Sequence, residues 1–195
     1  MKVLNAANTG NTFNIASGIV YAVDRGAKII NLSLGGPTES TTTEGAIDYA
    51  VGRGVIVVAA AGNSGPGTVL YPAAFDNVIS VGAHDSTGAT AGFSSTNSQV
   101  DISAAGVDIL STIPLSGATV TDPSGYRLLS GTSMAAPHVS GIVGLIVSAG
   151  VATTPATVTD LVHLAAVAAW FGGLVVLYTL LFDRGRPRGA RAATV

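Results

Sequence analysis

The 195-residue chain contains no cysteine. Disulfides and thiolate metal sites are therefore excluded. Charge is scarce as well. Asp, Glu, Lys and Arg make up 10% of the residues, against roughly 25% in an average soluble domain. The formal net charge of −2 is unevenly placed. Residues 183–195 set Arg184, Arg186, Arg188 and Arg191 against Asp183, a formal +3, which leaves −5 on the rest. An acidic body argues against a nucleic-acid surface. Met1-Lys2 is not followed by the apolar stretch of about 7–15 residues that marks a secretory signal. No internal repeat or low-complexity tract is present.

What the chain does have is apolar periodicity. Ile15, Ile19, Ala22 and Val23 recur at helical spacing, with Gly26 as a stop. Ile29 to Leu34 reads as a buried strand ended by Gly35-Gly36-Pro37. Thr41-x-x-Glu44 is a capping-box pattern before a helix carrying Ile47, Ala50 and Val51. Val55 to Ala61 is a continuous apolar run broken by Gly62-Asn63-Ser64-Gly65-Pro66-Gly67. Val78–Val81, Val100–Ala104 and Tyr126–Leu129 are further extended candidates, and Val139–Ala149 a buried helix too short to span a membrane. Strands alternating with helices predict an α/β fold, a parallel sheet with helices on both faces. In such sheets, sites form at the carboxyl ends of the strands. Both Gly-rich breaks fall there.

Two groups of residues carry chemistry. In Gly131-Thr132-Ser133-Met134-Ala135-Ala136-Pro137-His138-Val139-Ser140-Gly141 a serine lies where a loop turns into a helix. A helix start has unpaired N–H groups and partial positive charge. An oxygen nucleophile there finds a donor for the oxyanion it creates on an acyl substrate. A serine in that place is also an ordinary N-cap. Asn63 stands just beyond a buried strand. Its amide is a neutral donor suited to a transient oxyanion, or equally a turn residue. A phosphate-binding loop is disfavoured, because the glycine spacing is wrong and no P-loop Lys-Ser/Thr follows. His138, five residues after Ser133, is about 500° away on a helix, so the two side chains diverge.

The eleven-residue run around Ser133 resembles the nucleophile motif of the subtilisin-like (S8) serine proteases. Ala59-Ala60-Ala61-Gly62-Asn63-Ser64-Gly65 resembles their oxyanion-hole segment, and Asn31-Leu32-Ser33-Leu34-Gly35-Gly36-Pro37 their substrate-binding strand. The resemblance implies a three-layer subtilisin-like α/β domain over residues 1–160 and peptide-bond hydrolysis through Ser133. It implies Asn63 and the Ser133 N–H as the oxyanion hole. It also implies an extended polypeptide substrate pairing with Ser33, Leu34 and Gly35, and Ala60, Ala61 and Gly62 as the facing wall of the P1 pocket. Tyr71-Pro72 would be cis, Val81-Gly82-Ala83 and Phe93-Ser94-Ser95 would be scaffold, and His138 would pack inside as a structural residue.

The family's Asp motif and its His-Gly-Thr-His motif, which precede serine in subtilisin order, do not occur. A serine without base and orienting acid is a weak nucleophile. The chain therefore reads as the C-terminal part of a protease lacking its N-terminal block, or as an inactive peptide-binding or structural membrane protein on the same fold. The family's calcium loop would lie in the absent block, so no metal ligand or cofactor is assigned, though calcium is compatible with the full-length protein.

Residues 161–182 are 22 residues without Asp, Glu, Lys or Arg. As a helix they would run about 33 Å, enough for a bilayer core of about 30 Å. The arginines that follow predict a single-pass anchor, with 183–195 as a cytoplasmic tail and the peptidase domain extracytoplasmic. This layout resembles that of membrane-anchored subtilisins such as the mycosins.

Overall fold

A computed structural model describes residues 2–150, 154 and 157–163. Helix α1 spans Thr12–Asp24, strand β1 Ile29–Leu32, α2 Thr41–Gly52, β2 Ile56–Ala60, β3 Val78–His84 and β4 Ile102–Ala105. Strands β5 (Ile109–Thr112) and β6 (Tyr126–Leu129) precede helix α3, Thr132–Ser148. The four-stranded sheet runs β1-β2-β3-β4, every pair parallel, and β5 and β6 form a separate antiparallel ribbon.

Strand β2 shows why the sheet is covered twice. All five of its residues are buried, and alternate side chains face opposite ways. Ile56, Val58 and Ala60 pack in one cluster with Val139, Val143 and Ile146 of α3. Val57 and Ala59 pack in the other with Ile19 and Val23 of α1 and Ile47 and Ala50 of α2. The three-layer α/β expectation stands.

Several local expectations are adjusted. Helix α2 is capped by Ser40, whose side chain accepts from Thr43 N–H, so the cap lies one residue before Thr41. Helix α1 is capped by Asn11, whose Oδ1 accepts from Asn14 N–H at 2.7 Å. Strand β1 ends at Leu32, which leaves Ser33 to Gly35 as a free edge beyond it. Strand β5 was not legible: Ile-Leu-Ser-Thr has no period-2 alternation and is held only through β6. Tyr71-Pro72 is cis.

Residues 157–163 are helical, with Val158 and Val162 buried in the α3 cluster and Leu161 packed against it. His163 Nε2 hydrogen-bonds the Asp101 carbonyl at 2.7 Å. The first three residues of the expected span 161–182 thus lie on the domain, and 164–182 fall outside the described residues. Among the described residues no helix is long and apolar enough to cross a membrane.

Candidate active site

The carboxyl ends of β1 and β2 and the start of α3 meet. Parallel pairing puts Leu32 beside Ala59, so Ser33 and Asn63 leave the sheet at the same end. The loop carrying Asn63 is held by backbone bonds to a second segment. Ser95 N–H donates to the Gly62 carbonyl, Gly65 N–H to Phe93 and Gly67 N–H to Thr96. The buried hydroxyl of Ser94 accepts from Ala83 N–H at 2.9 Å, which ties that segment to β3. The scaffold expected of Phe93-Ser94-Ser95 thus consists of named bonds.

Helix α3 begins after Gly131, which provides no side-chain cap. Ser133 is therefore the second helical residue and not the cap. The acceptor comes from the loop that follows β2. Asn63 Oδ1 accepts from Thr132 N–H at 2.9 Å and from Thr132 Oγ1 at 3.0 Å. Thr132 Oγ1 in turn accepts from Gly62 N–H at 3.1 Å. A backbone N–H can only donate, so the oxygen of the Asn63 amide must face Thr132. Its Nδ2 is not used in that contact. Ser133 N–H, in the first turn, has no intrahelical acceptor. The two donors expected of an oxyanion hole thus have no acceptor among the described residues. No local pattern assigns Thr132 a role. Its partner lies 69 positions away, beyond the reach of any local pattern.

Ser133 Oγ donates to the Ser33 carbonyl at 3.2 Å. Ser33 Oγ donates back to the Ser133 carbonyl at 2.9 Å. Pro137 explains this second bond. The Ser133 carbonyl would normally accept from residue 137, but proline has no N–H. The Ser33 hydroxyl supplies the missing donor. Asn31 Nδ2 donates to Ser33 Oγ at 2.9 Å, and Ser140 Oγ lies 2.9 Å from Asn31 Oδ1. A chain of side chains thus locks β1 to α3.

An open cleft of about 680 Å³ includes Ser33, Leu34, Gly35, Asn63, Gly131 and Ser133 in its lining. Ala60, Ala61 and Gly62 do not line it; Ala60 and Ala61 are buried. Tyr71 also borders the cleft. Burial, and then the Glu39 carboxylate that accepts its O–H at 3.4 Å, raise its phenol above the usual value.

Among the described residues no imidazole or carboxylate hydrogen-bonds Ser133 Oγ. His138 is exposed, and its Nδ1 hydrogen-bonds the Met134 carbonyl at 2.8 Å. The expectation that it does not serve Ser133 fits this placement. The expectation that it packs inside does not, because position 138 falls on the face of α3 away from Val139 and Val143.

Residues 1–188 match Peptidase S8, the subtilase family. The chain is 45% identical over 150 residues to a thermophilic serine proteinase of Bacillus sp. (strain AK1), covering 77% of this chain and 35% of that protein. It is 45% identical over 152 residues to subtilisin DY of Bacillus licheniformis, covering 76% and 53%. Its fold is similar to the crystal structure of a cold adapted subtilisin-like serine proteinase, with a TM-score of 0.72 at 32% identity, covering 82% of this chain and 56% of that one. The chain thus spans between about a third and just over half of these relatives. With the Ser133 loop, the Asn63 loop and the end of β1 brought together on a parallel sheet, the chain belongs to the subtilase family of serine proteases.

Proposed function

We propose that this chain carries the nucleophile-bearing part of a serine endopeptidase that cleaves extended polypeptides through an acyl-enzyme on Ser133. One observation carries the reading. The Asn63 amide is turned by Thr132 so that its donor end has no partner among the described residues, in a cleft that Ser133 also lines. In the reaction Ser133 Oγ attacks the carbonyl carbon of the scissile bond. Its proton passes to a base and then to the departing amine; water hydrolyses the resulting ester and restores the hydroxyl. Negative charge on the carbonyl oxygen is met by Asn63 Nδ2 and Ser133 N–H. The peptide lies along Ser33, Leu34 and Gly35, with Ala60, Ala61 and Gly62 behind the residue preceding the scissile bond.

The base and its orienting acid come from residues outside 1–195. The absence of an imidazole or carboxylate partner for Ser133 Oγ among the described residues also favours a second reading, a peptide-binding protein that does not cut. Residues 164–182, the part of the charge-free run beyond the three residues packed on the domain, anchor the protein in a membrane, as in the mycosin-like layout, with the peptidase domain outside and 183–195 in the cytoplasm. The support is the charge-free run followed by four arginines.

An activated ester separates the two readings. The 195-residue chain alone should give no acylation burst. Joined to an upstream segment carrying the Asp and His-Gly-Thr-His motifs, it should give one equivalent, lost on Ser133→Ala. Turnover by the chain alone, abolished by Ser133→Ala, would reveal a base within 1–195. No burst from the joined protein would favour the binding reading. The anchor fails if the intact chain stays in the soluble fraction as a monomer.

A further inference from the structure

Two segments far apart in sequence meet at the cleft. The loop 113–125 joins β5 to β6, and its Ala118 and Val120 line the cleft together with Ser133. Leu4 and Asn8, in the segment before α1, line it as well. The two segments are tied at one place. Thr119 donates to the Ala6 carbonyl twice, from its N–H at 3.1 Å and from its hydroxyl at 2.8 Å. Among the described residues these are the loop's only hydrogen bonds to anything outside 113–126. Each partner is shaped independently of the tie. At the neck of the loop, Ile113 N–H donates to the Gly125 carbonyl at 2.9 Å and Asp122 N–H to the Pro114 carbonyl at 3.4 Å. The Asp122 carboxylate accepts from the N–H and the hydroxyl of Ser124 at 2.9 and 2.7 Å. On the other side, Asn5 Oδ1 accepts from Ala7 N–H and Thr9 N–H, which fixes a turn around Ala6. The tie can therefore break without unmaking either partner. It is also weak, because Thr119 is exposed and water competes for both donors.

We infer that residues 115–121 form a strap that shuts the cleft when Thr119 bonds Ala6, and that an extended peptide reaches Ser133 only when that tie opens. This rests on the proposed reading of Ser33–Gly35 as the peptide strand. The burial pattern shows which face of the strap meets the cleft: Ala118 and Val120 are half-buried, while Gly117 and Thr119 between and beside them are exposed. Small apolar side chains thus close the cleft and leave no polar group stranded. In the tied state the strap joins two sides of the cleft, so an internal stretch of polypeptide cannot be laid into it. A peptide that binds only the open form is weakened by the fraction that is open. Two exposed hydrogen bonds of ordinary net strength hold that fraction at about one in ten.

The test locks the strap. The chain has no cysteine, so the double variant Ala6→Cys/Thr119→Cys can form one disulfide only, between residues whose backbones already touch. Binding of a fluorescein-labelled dodecapeptide of Ala and Ser to the 195-residue chain in mild detergent is followed by stopped-flow anisotropy, which needs no base. The oxidised double variant should lose binding and regain it in dithiothreitol, while each single variant, treated alike, should bind throughout. Thr119→Pro removes the N–H and the hydroxyl together. It should bind about tenfold more tightly than the wild type, through faster association with unchanged dissociation. A Thr119 that only supported the fold would give weaker binding on that substitution, and that result overturns the inference. Equal binding by the oxidised and reduced double variant also overturns it and leaves the peptide-binding reading intact. Failure of the two thiols to pair under oxidant does the same, because the closed strap is then not populated, and this arm needs no peptide. Failure of the peptide to bind any form, Thr119→Pro included, removes the peptide-strand reading, and the inference with it.

Discussion

Helices α2 and α3 start in different ways. Helix α2 is capped locally: Ser40 lies three residues before the N–H it accepts from. Helix α3 has only Gly131 at that place, and its first N–H is met by Asn63 from the end of β2. The local cap settles the helix and nothing else. The distant cap settles the helix and also turns an amide, because the oxygen that accepts from Thr132 leaves the nitrogen of the same group free. One side chain thus links helix stability to the proposed oxyanion site. A cap from within the sequence of α3 could not make that link.

Substitution at Asn63 should break the contrast most severely. In the enzyme supplied with its base, Asn63→Ala should lower kcat by about 10²–10³ with little change in KM, the size known for the oxyanion asparagine of subtilisin and not a calculated value. It should also destabilise the fold by about 1–2 kcal/mol, since Thr132 N–H and Oγ1 lose their acceptor. Asn63→Asp separates the two roles. It keeps an acceptor for Thr132 and removes the donor, so denaturant unfolding should change less than in Asn63→Ala while kcat falls at least as far. Equal stability losses in both variants would remove the capping role.

A smaller effect is expected one turn along α3. Ser33→Ala should cost about 1–2 kcal/mol, because the Ser133 carbonyl loses the donor that stands in for the missing N–H of Pro137. Pro137→Ala returns that N–H to the helix. In a double-mutant cycle read by urea unfolding, the cost of Ser33→Ala should shrink by at least about 0.5 kcal/mol in the Pro137→Ala background. Additive changes would show that the hydroxyl and the proline are not linked.

The smallest effect belongs to the local cap. Ser40→Ala should lose about 1 kcal/mol of stability and leave kcat of the enzyme supplied with its base unchanged, because among the described residues Ser40 Oγ accepts only within its own helix start. A fall in kcat comparable with that of Asn63→Ala would erase the distinction between the two helix starts.

How much of this could be read beforehand depended on distance along the chain. The run Val55–Ala61 announced β2 because five consecutive buried residues leave no polar face. Ile15, Ile19 and Val23 announced the inward stripe of α1 in the same way, and Ile19 and Val23 are buried. Ser133 and Asn63 were legible as a nucleophile and a donor because each stands in a distinctive local run. Three features were not legible. Thr132 turns the amide of Asn63, Ser33 replaces the N–H of Pro137, and Leu70 fills the space beside Gly62. His138 is exposed where the family motif implies an inward residue, because a motif fixes identity but not which neighbours cover a helix face.

The amino-acid sequence by itself determined the alternation of strands and helices, the glycines at two strand ends and the chemical types of the site residues. Those follow from periodicity, backbone freedom and side-chain chemistry, which act over a few residues. Tertiary structure alone decided which end of the Asn63 amide is free, which donor the Ser133 carbonyl finds and how much room remains beside Gly62. The first two are settled by partners that only the parallel pairing of β1 with β2, and the packing of α3 upon them, brings within hydrogen-bond distance, and the third by Leu70, which the paired hydrogen bonds of Tyr71 with Gly36 carry to Gly62.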